Sequence, residues 1–353
     1  MSRFLSNRHS ALIPYVPGEQ PKDMKYIKLN TNESPFAPSE SVKSAVMGTV
    51  DNLKLYSDPE CTKLVNKLAE IYNVEQNQVI TTNGSDEALN FAFMAFADEK
   101  NPIVFPDITY GFYPIFAKLN HIPYEEIPLR DDFSINADDY IGIHKTIVIA
   151  NPNAPSGLYL SLEEIEKILS SNPDNVVIID EAYIDFGSQS AVSLVDKYDN
   201  LLVIQTFSKS RSMAGARLGF CIGNKSLIAD LNTIKYSTNP YNVNAMTMAA
   251  GYAALCENDY YMQNCKTIIE NREYTEDKLK NLGFTLTDSK TNFVFAKSDK
   301  IDGEKLYLAL KERGILVRHF KNERICQYNR ITIGTKEQMD AFLKAVEDIL
   351  KEI

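Results

Sequence analysis

Apolar and polar positions divide the chain into two regimes. From residue 78 to 206, short apolar runs alternate with stretches of helical period. The runs Gln78–Thr82, Pro102–Phe105, Thr146–Ala150, Val176–Ile179 and Leu201–Ile204 predict strands. Between them, Asp86–Phe96, Tyr110–Leu119 and Leu162–Leu169 predict helices. Continuous apolar runs suit strands covered on both faces, so the alternation predicts an α/β fold with a mostly parallel sheet in three layers. Past residue 258 the pattern changes. Asn258–Leu282 predicts one long helix. Phe284–Thr287, Asn292–Ala296, Ile315–His319 and Arg330–Ile333 then predict strands, with helices over Gly303–Arg313 and Lys336–Lys351. These form a smaller α+β domain.

The start of the chain is irregular. Pro14, Pro17, Gly18, Pro21 and Pro35 break up residues 1–35, which are expected to form an arm packed on something else. Ser41–Val74 is largely helical, broken near Ser57-Asp58-Pro59. The expected division is an arm over 1–35 that joins the small domain, a large domain over 36–257 and a small one over 258–353. The helix over 258–282 links the last two.

Composition narrows the chemistry. The chain has 353 residues, with 37 Lys plus Arg against 47 Asp plus Glu, a net charge of −10. That balance lacks the footprint of a nucleic-acid binder. No apolar run is long enough to span a membrane, and the first residues have no apolar core of a signal peptide, so a cytoplasmic location is expected. Five scattered cysteines and four scattered histidines match no disulfide framework and no metal spacing. Catalysis must therefore rest on Lys, Tyr, Asp and Arg, or on a cofactor.

Four segments carry candidate chemistry, each after an apolar strand. In TTNGSDEALNF, backbone N–H groups near Ser85 and Asp86 open a helix, a natural anion site. Taken alone, this is also an ordinary capped helix. NPNAPSG, Asn151–Gly157, is a rigid loop where ligands gather in open α/β sheets, or only a connection. VVIIDEAYIDF ends a buried strand on Asp180, which requires a cationic partner or a strand-end capping role, with Tyr183 three residues on. TFSKSRSMAGARLGF gathers Thr206, Ser208, Lys209 and Arg217, a set suited to phosphate around a lysine nucleophile. Arg318 and Arg330 lie further on, either facing an anionic group or on a sheet edge.

Together these motifs resemble the fold-type I, pyridoxal-phosphate-dependent aminotransferases over essentially the whole chain. LIPYVPG, LNTNESPFAPS and GILVRHF…RITIGT resemble the histidinol-phosphate branch in particular. The resemblance implies that Lys209 holds the cofactor aldehyde and later moves the substrate proton. Asp180 would pair with the ring nitrogen, Tyr183 would contact the ring hydroxyl and Tyr110 would stack on the ring. Ser85, Asp86, Thr206, Ser208 and Arg217 would hold the cofactor phosphate. Tyr56 would reach the phosphate in a neighbouring subunit, which implies a homodimer with shared sites. Arg330 would bind the substrate carboxylate. Arg318, with Tyr15 from the partner's arm, would bind the substrate phosphate.

One position departs from the pattern. The family asparagine before P-T-G is Ala154 here, which leaves Asn153 as the expected substitute. The implied reaction is amino transfer from glutamate through pyridoxal 5'-phosphate to imidazole acetol phosphate, in histidine biosynthesis. An aromatic aminotransferase and a threonine-phosphate decarboxylase share the same motifs and stand as alternatives. A non-catalytic regulatory module is opposed by the presence of Lys209. A nucleotide-binding protein is opposed by the lack of G-x-G-x-x-G or a P-loop.

Overall fold

The computed structural model describes residues 2–10 and 12–353. Seven strands form one sheet in the order Val79–Thr82, Gly219–Gly223, Leu201–Thr206, Val177–Asp180, Thr146–Ala150, Ile103–Pro106, Tyr124–Ile127. The last five run parallel. Gly219–Gly223 is antiparallel to both of its neighbours.

Strand alternation sends side chains to two cores. Ile147, Ile149, Leu201 and Val203 meet Leu64, Leu68 and Ile165 on one face. Val148, Ile178, Leu202 and Ile204 meet Phe93, Phe116 and Leu231 on the other. Helices thus cover both faces, which is why the central strands read as unbroken apolar runs. The register sets Asp180 beside Ala150 and Ile204, so three strand ends and their following loops converge at one edge.

A second sheet, antiparallel throughout, has the order Arg318–His319, Tyr328–Thr332, Phe293–Ser298, Phe284–Leu286. It packs on the helices Asn258–Asn281, Gly303–Glu312 and Lys336–Lys351 through Leu279, Leu310, Phe342 and Val346. The start of the chain is built into this region. Ile27–Lys28 pairs in parallel with Ile315–Leu316, and Leu29 enters the same core.

Several elements go beyond those predicted. The strand Gly219–Gly223 is bounded by glycines, which usually signal a turn. Gly219 is needed for close approach: a Cβ there would lie 2.6 Å from the Gly84 carbonyl carbon and the Ser85 nitrogen. The strand Tyr124–Ile127 is the sheet edge and half exposed, so it lacks an apolar run. The helix Ala245–Cys256 is apolar nearly all round and has no amphipathic period to detect.

Candidate active site

The converging strand ends frame a cavity of about 400 Å³. Ser85, Asp86, Tyr110, Asp180, Tyr183, Thr206, Ser208, Lys209 and Arg217 all line it. A second cavity of about 320 Å³ adjoins it and adds Tyr15, Arg318 and Arg330. Tyr110, Ala154, Tyr183 and Lys209 border both.

At one end of the first cavity lies an anion cradle. The helix Gly84–Phe96 starts on Gly84 at φ +77°, and Asn83 supplies no side-chain cap to its first turn. Its opening N–H groups therefore lack the usual side-chain acceptor. Thr206 Oγ1 donates to Ser208 Oγ at 3.0 Å beside them. Arg217, held in the left-handed region at φ 55°, reaches Asp86 at 2.8 Å. Asp86 also accepts from the Tyr110 hydroxyl at 2.7 Å. This ties the aromatic side chain to the cradle.

Asp180 lies at the floor. It is 5% exposed, and burial pushes its carboxyl up to about 6. The Tyr113 hydroxyl donates to it at 2.9 Å and the Ala182 N–H at 3.3 Å, both favouring the anion. Its neighbour Glu181, on the opposite side of the strand end, is pushed up to about 7 by the same burial. Ser190, Ala191 and Gln205 donate to Glu181 at 2.6–2.8 Å, so it is committed within the protein.

Lys209 enters from the loop after Leu201–Thr206. Its Nζ donates to the Thr31 carbonyl at 3.3 Å and stands 5.7 Å from the Tyr183 ring centroid. The Tyr183 hydroxyl accepts an N–H from Asn32 at 2.9 Å.

The second cavity is cationic. Arg318 and Arg330 line it, and among the described residues neither has a carboxylate within ion-pair distance. Arg330 donates to the Asn30 carbonyl at 3.1 Å, while its Nε is buried without a partner. Burial holds its guanidinium below the ordinary arginine value, and Arg318 adds to this.

Two expectations need adjustment. Asn153 does not replace the family asparagine. It is buried, its amide donates to the Ile108 carbonyl at 2.9 Å and it accepts from Thr109 at 2.7 Å. Its side chain is thus spent inside the loops, and Ala154 faces the cavity instead. Tyr15, expected from a partner's arm, lines the second cavity of its own chain. The arm folds back because Asn30 donates to the Glu19 carbonyl at 2.8 Å and the Tyr15 ring packs on Phe112 at 4.3 Å. Tyr56 stays out of this chain's cavities: it is 85% exposed and stacks on Tyr241 at 4.7 Å. Two site residues were not anticipated, Tyr113 and Asn32. Tyr113 comes three residues after Tyr110, the only sequence signal it offered. Asn32 lies in LNTNESPF, where nothing marks its side chain.

Residues 24–346 match the family model for aminotransferase class I and II. The chain belongs to this family, which transfers amino groups between small molecules. A histidinol-phosphate aminotransferase of Brachyspira hyodysenteriae is 51% identical, over 99% of this chain and 100% of that protein. The crystal structure of the histidinol-phosphate aminotransferase from Clostridium acetobutylicum superposes with TM-score 0.85 at 24% identity, covering 92% of this chain and 99% of that one. That from Sinorhizobium meliloti, in complex with pyridoxal-5'-phosphate, gives 0.84 at 22% identity, covering 93% and 92%.

Proposed function

We propose that the chain is a pyridoxal-phosphate-dependent transaminase acting on histidinol phosphate and 2-oxoglutarate, reversibly, in histidine biosynthesis. The observation that carries the substrate is the pair Arg318 and Arg330, two cations without carboxylate partners beside Lys209. Buried or half-buried cations of this kind require anions, and histidinol phosphate and glutamate both supply them.

The residues of the first cavity fit the cofactor. The uncapped N–H groups at Ser85 and Asp86, the hydroxyls of Thr206 and Ser208, and Arg217 would take its phosphate. Gly84 and Gly219 leave the room this needs, since a Cβ on either would collide at 2.5–2.6 Å. Asp180, buried with an unused cationic need, would take the ring N–H, and the Tyr110 ring would cover one ring face. When bound, pyridoxal phosphate supplies the carbonyl carbon that carries the amino group and the ring that accepts the electrons released at the substrate Cα.

The chain's own residues do the rest. Lys209 Nζ would anchor the cofactor and, once freed by the substrate amine, would take the proton from the substrate Cα and pass it to the cofactor carbon that bears the amino group. Asp180, as an anion helped by Tyr113, would hold the ring proton on nitrogen. Tyr183 would donate to the ring hydroxyl oxygen. Arg330 orients the glutamate carboxylate, and Arg318 with Tyr15 binds the substrate phosphate.

We also propose a homodimer in which Tyr56 reaches the partner's cofactor phosphate. Its 85% exposure, beside exposed Leu53 and Leu55, supports that surface. The division into an arm over 1–35, a large domain over 36–257 and a small domain over 258–353 belongs to the same reading. All five cysteines are free thiols, in keeping with a cytoplasmic location. Among the described residues no helix is long and apolar enough to cross a membrane. Incubating the purified protein with histidinol phosphate and 2-oxoglutarate should release glutamate. Preference for phenylalanine as donor, or carbon dioxide release from threonine phosphate, would replace this reading with an aromatic transaminase or a decarboxylase.

A further inference from the structure

Asn32 occupies a left-handed backbone position, φ 56°, and is 1% exposed. The C-terminal sheet region grips it from three sides. Its backbone N–H donates to Thr332 Oγ1 at 3.0 Å, and the Thr332 hydroxyl donates back to Asn32 Oδ1 at 2.9 Å. Its carbonyl accepts from Asn292 Nδ2 at 3.0 Å. With Oδ1 engaged, Nδ2 is left to donate to the Tyr183 hydroxyl at 2.9 Å.

That direction matters. A phenol oxygen that accepts one N–H keeps its own proton for another acceptor, and the accepted bond strengthens the one it donates. Tyr183 borders the same cavities as Ala154, which offers only a methyl group, and Asn153 is committed elsewhere. The loop 151–157 thus presents no free side-chain amide to the cavity, since Asn151 and Asn153 donate to the Leu160 and Ile108 carbonyls.

We propose that Asn32 is a positioning residue that aims the Tyr183 hydroxyl at the cofactor ring oxygen, supplying from the small-domain side the support the 151–157 loop lacks. The inference rests on the cofactor reading above. The charged and titratable groups facing Tyr183 are Lys209, Arg330 and Tyr113, and Asp180 lines the same cavity. All of them are unchanged by substitution at Asn32.

The test is a pH titration of the bound cofactor's absorption band in loaded wild-type and variant protein. Asn32→Asp keeps the shape and the acceptor toward Thr332 but cannot donate to Tyr183. Asn32→Gly tolerates the same backbone and adds no charge. Both should raise the pH midpoint by about half a unit to one unit. Both should also weaken uptake of pyridoxal phosphate by the unloaded protein, by about threefold to tenfold. In a Tyr183→Phe background neither variant should shift the midpoint further. Adding Ala154→Asn should return it toward the wild-type value. If an Asn32 variant fails to fold, Thr332→Val frees the same amide and should move the midpoint in the same direction. Midpoints that stay at the wild-type value in protein that takes up the cofactor normally overturn this inference alone. A wild-type protein that takes up no pyridoxal phosphate overturns the functional reading and this inference with it.

Discussion

Arg318 and Arg330 stand directly opposite each other on neighbouring antiparallel strands. Like charges in that relationship oppose folding by roughly 0.2–1 kcal/mol. The chain accepts this cost with no carboxylate between them among the described residues, so the pair is maintained for something that arrives from outside. Arg330 also lies over Phe293 and Phe320, at 5.2 and 5.9 Å from the ring centroids, which adds cation–π attraction to a guanidinium that lines the cavity.

Removing one of the two should therefore separate function from stability. Arg318→Ala should cut kcat/KM for histidinol phosphate by about 30- to 100-fold, because a buried phosphate is left without a partner. The effect on glutamate should stay within about threefold, since Arg330 remains for its carboxylate. The melting temperature should hold or rise slightly as the repulsion disappears. Steady-state kinetics with both donors, alongside a thermal melt, checks all three. An equal loss for both donors would remove Arg318 from phosphate recognition.

Asp180 and Glu181 make stability depend on pH. Folding raises them from 3.8 and 4.5 to about 6 and about 7. A carboxyl raised on folding stabilises the protein fully below its unfolded value, and that stabilisation is lost as pH rises through the folded value. These two groups should thus make the cofactor-free protein less stable at about pH 8 than at about pH 5. If Asp180 pairs with the cofactor ring nitrogen as proposed, loading with pyridoxal phosphate gives the ionised carboxylate a cationic partner, and the gain in melting temperature should be larger at the higher pH. Tyr113→Phe removes a donor to the anion and should push Asp180 up further, weakening cofactor uptake near neutral pH. Paired melts of loaded and unloaded protein across pH measure this. A loading gain that does not grow with pH would detach Asp180 from the ring nitrogen.

The parts of this site that were legible in the sequence share one property: they follow strands buried on both faces. Asp180 ends an unbroken apolar run, and Ser85 and Lys209 each lie three residues past the end of a buried strand, so strand and site are marked together. The parts that were hidden depend on partners distant in the chain. Asn32 acts through Thr332 and Asn292, some 300 and 260 positions away. Tyr113 looks like one more buried aromatic until Asp180 is placed beside its hydroxyl. Asn153 stands next to the family position, yet the direction of its side chain depends on the Ile108 carbonyl. The strand Gly219–Gly223 was masked because its first glycine answers to the backbone of Gly84 and Ser85, not to local turn preference.

That glycine gives a sharp test of the cradle. A Cβ at position 219 would press on backbone atoms of the Gly84–Ser85 turn at 2.6 Å, and backbone cannot move aside as a side-chain tip can. Gly219→Ala should destabilise the protein by about 1–3 kcal/mol. Because the displaced atoms include the Ser85 N–H, affinity for pyridoxal phosphate should fall by more than about tenfold. Gly48→Ala is the control, since its Cβ would meet only ordinary contacts at 3.4 and 3.8 Å and it lines neither cavity. Equilibrium titration of unloaded protein with pyridoxal phosphate reads the affinity. A Gly219→Ala protein that melts lower yet binds normally would move the phosphate away from this turn.

Tyr56 allows the shared site to be tested directly. Its side chain stacks on Tyr241 at 4.7 Å and is 85% exposed, while Ser57 Oγ next to it donates to the Val243 carbonyl at 2.9 Å. Lys235, itself buried, donates to the Pro59 carbonyl and fixes the other end of the segment. A tyrosine held this firmly while pointing outward suits a site on another subunit. Tyr56→Ala and Lys209→Ala should each leave little activity when homodimeric. In a hybrid dimer, one site combines the intact Lys209 of the first subunit with the intact Tyr56 of the second. Random re-pairing makes half the dimers hybrid, each with one complete site, so the mixture should recover about a quarter of wild-type activity. Dissociating the two variants in mild denaturant, mixing, refolding and assaying measures the recovery. If Tyr56 served its own chain, the Lys209→Ala subunit would still lack its lysine and the other its tyrosine, and mixing would recover nothing.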